Sequence, residues 1–539
     1  MLVSCAAASV AAVVWSWRHG AMLNYGDAVA HLHIARRVFD SHQYGITQFG
    51  SVWLPLPHLL MLPFVQIYSW WANGAAALLP SMLAYLAGCA GLYRLARRWL
   101  SPVASAFTLV FFAANPNLLY LQTTAMTEPL FVCEMIWAAV WMVEWRESLD
   151  TDEREASRLQ GWIALALVAA IFTRYDGWVM AFLAWTGIGI ALLRRGRLRS
   201  MSFWIASVFI VASPVLWVTY NAVFFGDWLE FMRGPNSAAA IELRTAAGWP
   251  PHPGWHNPWV SLVFFIKAAE MDAVAAAWGK LLLVLSLLGT AWAWFTARRS
   301  GGFQWALLLW LPAPFYAYSI GFGSVPIFLP PWWPHSWYNT RYGMELQPAL
   351  ALGLGFVAQI FLAVVHDFKP REVDPRWGRC AAGLLFVLLA LNACEMIREH
   401  PLTYMEGTKN LAARLPFEEQ IPPVLRAELA KRPGSLILMN TSVYPRLVAL
   451  TGIPFRQTIN EGDYLLYRAA LANPAGHAAL VLAFDGDEID STVKAHPCGL
   501  TAIRRFTAPR QAAATLYVSD AHPLNNPTCT VVGSGKEIR

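Results

Sequence analysis

Apolar runs of spanning length alternate with short polar breaks up to about Ile397, and from Arg398 onward charged and polar residues become ordinary. This change of pattern divides the chain into a membrane domain, 1–397, and a tail, 398–539, long enough for one soluble domain. A helix crosses a bilayer with about 20 mostly apolar residues. On that measure spans fall at 2–17, 76–96, 102–120, 128–145, 160–173, 178–193, 202–224, 277–297, 303–322, 346–366 and 380–397, about eleven helices in all. The run 53–69 is apolar too, but Pro55, Pro57 and Pro63 interrupt regular helix, so it reads as a juxtamembrane or re-entrant segment. Residues 259–276 read as either an interfacial helix or a loop. In the tail, 434–440 and 478–484 have the short apolar character of buried strands, with helical stretches at about 408–430 and 462–472. The pattern predicts a polytopic α-helical membrane protein with a C-terminal soluble α/β domain.

Basic residues orient the spans, because cytoplasmic helix ends carry Lys and Arg. The clusters Arg94/Arg97/Arg98, Arg194/Arg195/Arg197/Arg199, Arg298/Arg299 and Lys369/Arg371/Arg376/Arg379 all fall inside if 53–69 does not cross. The first span lacks a cleavage-like site and is expected to be retained. The amino terminus is then inside, and a first outer loop, 18–75, shares the outer face with 121–127, 174–177, 225–276, 323–345 and the tail. The compact loops suit a bacterial inner membrane.

Composition agrees with the pattern. Of 539 residues, 57% are hydrophobic and 14% charged, too few charges to coat a soluble protein of this size. The 27 Trp, 29 Phe and 17 Tyr fit wide membrane interfaces. The net charge of +6 is accounted for by the topology signals, so a nucleic-acid partner is not expected. Cys498 and Cys529 are the only cysteines of the tail, and an outer, oxidising compartment would favour a disulfide between them.

Charges near a membrane core are costly and point to function unless anchoring explains them. Four predicted outer segments carry them. Asp27, in Asn24-Tyr25-Gly26-Asp27, stands where a helix cap belongs, a role compatible with chemistry. His31, one turn on, shares its helix face. Thr127 and Glu128 precede Pro129; the threonine reads as a cap, while Glu128 puts a charge at the membrane boundary. Arg174 and Asp176 occupy a short turn, where they either pair with each other or offer a guanidinium fork to a lipid phosphate. The stretch 332–343 combines Trp332, Trp333, His335, Trp337 and Tyr338 with Arg341, either an aromatic belt with one cation or a surface for sugar rings beside a phosphate-binding charge.

In this order the segments resemble the GT-C superfamily of polytopic glycosyltransferases that use polyprenyl-phosphate-linked sugars. The resemblance is nearest to the branch of protein O-mannosyltransferases and lipid A aminoarabinose transferases. It is carried by Gly26-Asp27, Leu54-Pro55-Leu56-Pro57, Leu95-Ala96-Arg97-Arg98 and Arg341-Tyr342, with Met126–Leu130, Arg174–Gly177 and Phe225–Trp228 similar to elements of related mannosyltransferases. It covers roughly residues 1–400; the first loop has a lone Gly-Asp where many relatives have a fuller acidic pair. The resemblance implies that Asp27 is the base that activates an acceptor hydroxyl. It also implies that Arg341 and Arg174 receive the departing phosphate, and that the donor is a lipid-linked sugar. His31, Glu128, Asp176, His335 and Tyr338 complete the candidate substrate-binding set. The acceptor could be protein, lipid or polysaccharide. No obligatory metal is expected, since His31, Glu128, His252, His256 and His335 have no established ligand spacing, although a divalent ion stays open. A transporter would carry inverted repeats, which are not evident here. The other rival is a non-catalytic assembly or sensor protein.

Overall fold

The computed structural model describes residues 1–245, 250–297, 302–367 and 376–520. Two compact units emerge: one of Met1–Ala28, Ser51–Phe64 and Gly74–Lys409, the other of Val29–Gly50, Val65–Asn73 and Asn410–Arg539.

The helices are α1 (Leu2–Arg18), α2 (Gly26–Arg37), α3 (Leu56–Val65), α4 (Leu78–Ala96), α5 (Pro102–Ala113), α6 (Glu128–Ser148), α7 (Glu153–Thr173) and α8 (Asp176–Leu193). They continue as α9 (Met201–Phe225), α10 (Pro258–Ala273), α11 (Gly279–Ala297), α12 (Pro312–Phe322), α13 (Gln347–Asp367), α14 (Arg376–Arg398) and α15 (Leu402–Ala430), with shorter turns between. Among the described residues, eight helical stretches are long and apolar enough to cross a membrane. About eleven were expected, and the difference has local causes. The run 102–120 is broken where Asn115 accepts from the amides of Asn117 and Leu118, with Pro116 opening a new turn. Helix α1 is short, with 17 residues. Helix α6 carries buried Glu128, Glu134 and Glu144, which lower its apolarity. The run 53–69 yields only the ten-residue α3, and 259–276 contains the buried-faced helix α10.

Helix ends in the first unit follow from capping and steric rules. Asp152 accepts from the Glu155 amide to start α7. The α7–α8 turn is tight: a Cβ on Gly177 would lie 2.2 Å from the Ala170 carbonyl oxygen, so only glycine fits there. Arg174 and Asp176 are thereby presented on a turn held against α7.

The far ends of α4, α6 and α8 gather basic residues. Arg94 forks onto the carboxylate of Glu144 at 2.7 and 2.8 Å, Arg98 bridges Glu144 and Glu147, and Arg195 pairs with Asp150. The clusters at 298–299 and 369–371 lie outside the described residues.

The second unit is built on a five-stranded sheet of β1 (Ile437–Met439), β2 (Thr458–Ile459), β3 (Leu480–Phe484), β4 (Leu500–Phe506) and β5 (Ala514–Ser519), in the order β2-β1-β3-β5-β4. The first three strands are parallel, and β5 runs antiparallel to both its neighbours. Both sequence-predicted strands are present. The edge strand β4 is mostly exposed and carries Arg504 and Arg505, a polarity that hid it in the sequence. The core joins Leu438, Ile459, Ala470, Val481, Ile489 and Val493. Asp487 caps the helix Glu488–Ala495 and Asp485 pairs with Arg505, so this acidic turn has structural work. Cys498 is disulfide-bonded; Cys529 lies outside the described residues.

Candidate active site

Five candidates from four separate segments meet in the first unit. At their centre is Arg341, whose side chain is only 6% exposed. Its Nε donates to Glu128 at 3.1 Å, Nη1 to Glu406 at 3.0 Å and Nη2 to Asp27 at 2.6 Å. The guanidinium also lies over the rings of Tyr25 and Tyr342, at 5.2 and 4.9 Å. A buried guanidinium costs several kcal/mol of desolvation unless paired and hydrogen-bonded, and three carboxylates and two aromatic faces supply that compensation. Asp27 differs from its neighbours because its side chain is 45% exposed. Arg341 therefore holds one end of a carboxylate that still reaches solvent.

Asp27 is the second residue of α2, inside the first turn rather than at the cap expected for it. A negative charge there suits the helix dipole. Thr127 does stand at the cap position of α6 but makes no capping hydrogen bond, and its hydroxyl accepts from Arg174 Nη1 at 3.1 Å.

Arg174 forms a second hub. It pairs with Asp176 at 3.2 Å, Glu345 at 3.1 Å and Glu128 at 3.5 Å, and donates to the Tyr316 hydroxyl at 2.6 Å. Tyr316 in turn donates to Glu345 at 2.8 Å. Glu128, almost wholly buried, links the two hubs through one oxygen, Oε1. Both guanidiniums are thus engaged by carboxylates, whereas a role as phosphate receptors would want open donors. Their geometry suits holding the carboxylates in place.

Glu345, Glu406, Tyr316 and Asp272 escaped the sequence reading. Asp272, on α10, is fully buried, and neither of its carboxyl oxygens has a hydrogen-bond partner among the described residues. Burial, and then the charges of Glu406 and Glu128, push its pKa well above the ordinary carboxyl value, favouring the neutral acid. It packs on Gly343: a Cβ there would lie 2.6 Å from Asp272 Oδ2 and 2.5 Å from the Ala269 amide nitrogen.

The Tyr338 phenol is pushed up, by desolvation first and then by the Asp27 charge. His335 is exposed, with Nδ1 2.8 Å from the Pro330 carbonyl oxygen. It lines a cleft of about 560 Å³ with Trp259, Val263, Phe264, Trp332 and Trp333. One side of α10 lines that cleft through Phe264, while its neighbour Phe265 stacks on Tyr316 of the site at 4.8 Å. His31 belongs to the second unit and is buried there. Among the described residues no group of three or more His, Cys, Asp or Glu is set to hold a metal ion.

Residues 55–218 match the family described as dolichyl-phosphate-mannose-protein mannosyltransferase. No curated protein matches the chain by sequence. Among solved structures it is similar to ArnT from Cupriavidus metallidurans bound to undecaprenyl phosphate. Identity there is 16% and the TM-score 0.52, over 96% of this chain and 98% of that one. The apo state of ArnT from the same organism gives 15%, 0.53, 94% and 97%. Identity this low speaks to the fold. The chain therefore shares the fold of ArnT over nearly its whole length and carries the mannosyltransferase family's sequence pattern over residues 55–218.

Proposed function

We propose that the protein is a membrane glycosyltransferase that moves a sugar from a polyprenyl-phosphate carrier to an acceptor hydroxyl on the outer face of the membrane, with Asp27 as base. The observation that carries this reading is the half-exposed Asp27 carboxylate held at 2.6 Å by the buried guanidinium of Arg341. A base must be both fixed and reachable, and Asp27 combines the two. In the step, Asp27 takes the acceptor proton as the acceptor oxygen bonds to the sugar carbon. The bond from that carbon to the phosphate oxygen breaks with inversion, and the lipid phosphate departs. Arg341 and Arg174 hold the carboxylate array and temper its charge. Tyr338, beside Asp27, and the cleft of Trp259, Trp332 and Trp333 offer apolar and aromatic surface to the donor, with His335 at its edge.

The outer-face assignment draws support from α6. Its 21 residues span about 31 Å, the thickness of a bilayer core. Glu128 of the site opens the helix, and Glu144, which Arg94 and Arg98 engage, lies near its end. If the arginines are cytoplasmic, the site is outside. We take the 1–397 region as the transferase domain and 398–539 as an extracytoplasmic domain of a bacterial inner-membrane protein. The mannosyltransferase-like family match favours a hexose, and the ArnT likeness keeps a pentose in view.

Mass spectrometry of envelope glycans and lipids from a deletion strain tests this proposal. The expected result is loss of one sugar from one acceptor, restored by the wild-type gene and not by Asp27→Asn. An unchanged glycan and lipid profile would count against the transferase and favour the assembly or sensor alternative.

A further inference from the structure

Arg341 is gripped by carboxylates from three different helices, and these carboxylates do not have equal freedom. Glu128 is at the start of α6 and shared with Arg174; Asp27 is open to solvent; Glu406, in the second turn of α15, is buried and bonds to Arg341 and its immediate neighbours. Its Oε1 accepts from Arg341 Nη1 at 3.0 Å. Its Oε2 accepts from the Arg341 backbone amide at 3.2 Å, from the Thr340 hydroxyl, and from the Tyr25 hydroxyl at 3.5 Å. Every one of these partners is a donor, so the set suits an ionised, acceptor-only carboxylate. By taking both the main chain and the side chain of Arg341, Glu406 fixes the direction of Nη2, the nitrogen that meets Asp27.

We propose that Glu406 is a positioning residue for the transfer reaction, acting through Arg341 to set the orientation and charge environment of Asp27. The inference rests on the reading of Asp27 as the base. Asp27 is faced by Arg341, Tyr338 and Tyr342, with Glu128 and Glu406 on the other side of the same guanidinium. Glu406 neutralises part of the Arg341 charge that Asp27 meets. Removing the Glu406 charge leaves Arg341 more positive toward Asp27, which favours the ionised carboxylate to lower pH and makes it a weaker proton acceptor. In addition, a glutamine at 406 would turn an amide donor toward groups that are themselves donors, loosening the grip on Arg341.

The test uses the full chain in nanodiscs with undecaprenyl phosphate carrying mannose, glucose, galactose or 4-amino-arabinose, and an envelope extract as acceptor. Release of undecaprenyl phosphate is followed across pH. Glu406→Gln is expected to lower kcat roughly tenfold, part of the roughly 10²–10⁴-fold a base supplies. KM for the donor stays within about twofold, because this residue acts on the base rather than on donor binding. The acid limb of the kcat/KM profile moves to lower pH, a change that a merely structural role would not produce. Glu406→Asp keeps the charge and shortens the reach; it is expected to lower turnover with the limb in place, and serves if the glutamine variant does not fold. An unmoved limb in Glu406→Gln, or wild-type turnover in Glu406→Asp, overturns the proposal. Asp27→Asn separates the two readings. If it is inactive while the limb of Glu406→Gln is unmoved, only the Glu406 assignment falls; if it retains turnover, the base assignment falls and the proposal with it.

Discussion

Arg341 and Asp27 are 314 residues apart in the chain and 2.6 Å apart in space. Their ion pair is one bond of a carboxylate array that would be mutually repulsive without the two guanidiniums. Arg341→Ala would leave Glu406 buried without the guanidinium it grips and Glu128 with Arg174 alone, a loss that costs about 3–5 kcal/mol for a broken buried pair. A clear fall in the melting temperature of the purified protein is the expected outcome, and an unchanged melting curve would show that the array is stable without its centre. The charged members at the ends of apolar runs, Asp27, Glu128, Arg174, Asp176 and Arg341, were legible in the sequence because a charge stands out there. Glu406 was not, because it lies past Arg398, where charges are ordinary. Glu345 stands only two residues before the apolar helix α13, and four after the more conspicuous Arg341. Their partners come from remote segments, and hydropathy carries no information about such contacts.

At the scale of elements, close approaches of backbone to side chain position the site. Gly177 lets the α7–α8 turn close on Ala170, and Gly343 lets the Thr340–Leu346 turn lie on α10. Gly343→Ala would drive a methyl group into Asp272 and the Ala269 amide, and overpacking of this kind costs about 1–3 kcal/mol. The predicted outcome is a lower melting temperature together with lost transfer, since the same turn carries Arg341. Wild-type stability and turnover in this variant would mean that α10 yields without disturbing the site. The helices themselves were readable from apolar run length, whereas their interruptions were less so. Asn115-Pro116 splits a run that hydropathy joins, because a cap and a proline act through local backbone bonds rather than through apolarity. The sequence of α10 reads equally as an interfacial helix or a loop for a related reason: its charges Lys267, Glu270 and Asp272 obscure a face that packs on Tyr316.

Across the molecule, one end of the helical unit carries the carboxylate array and the other the arginine clusters of α4 and α8. The proposed orientation is open to labelling with a membrane-impermeant maleimide in a background where the exposed Cys380 and Cys394 are serine. A cysteine at His335 should label in intact cells, and one at Arg97 only after permeabilisation; labelling of both from the same side would contradict the topology. The central claim is most directly tested by reconstituting the purified wild-type chain and Asp27→Asn in nanodiscs with undecaprenyl-phosphate-linked sugars and an envelope extract. The release of undecaprenyl phosphate coupled to sugar on acceptor is then measured. The account predicts turnover by wild type and a loss of roughly 10²–10⁴-fold in Asp27→Asn, with donor binding kept. Equal turnover by the two proteins would contradict it.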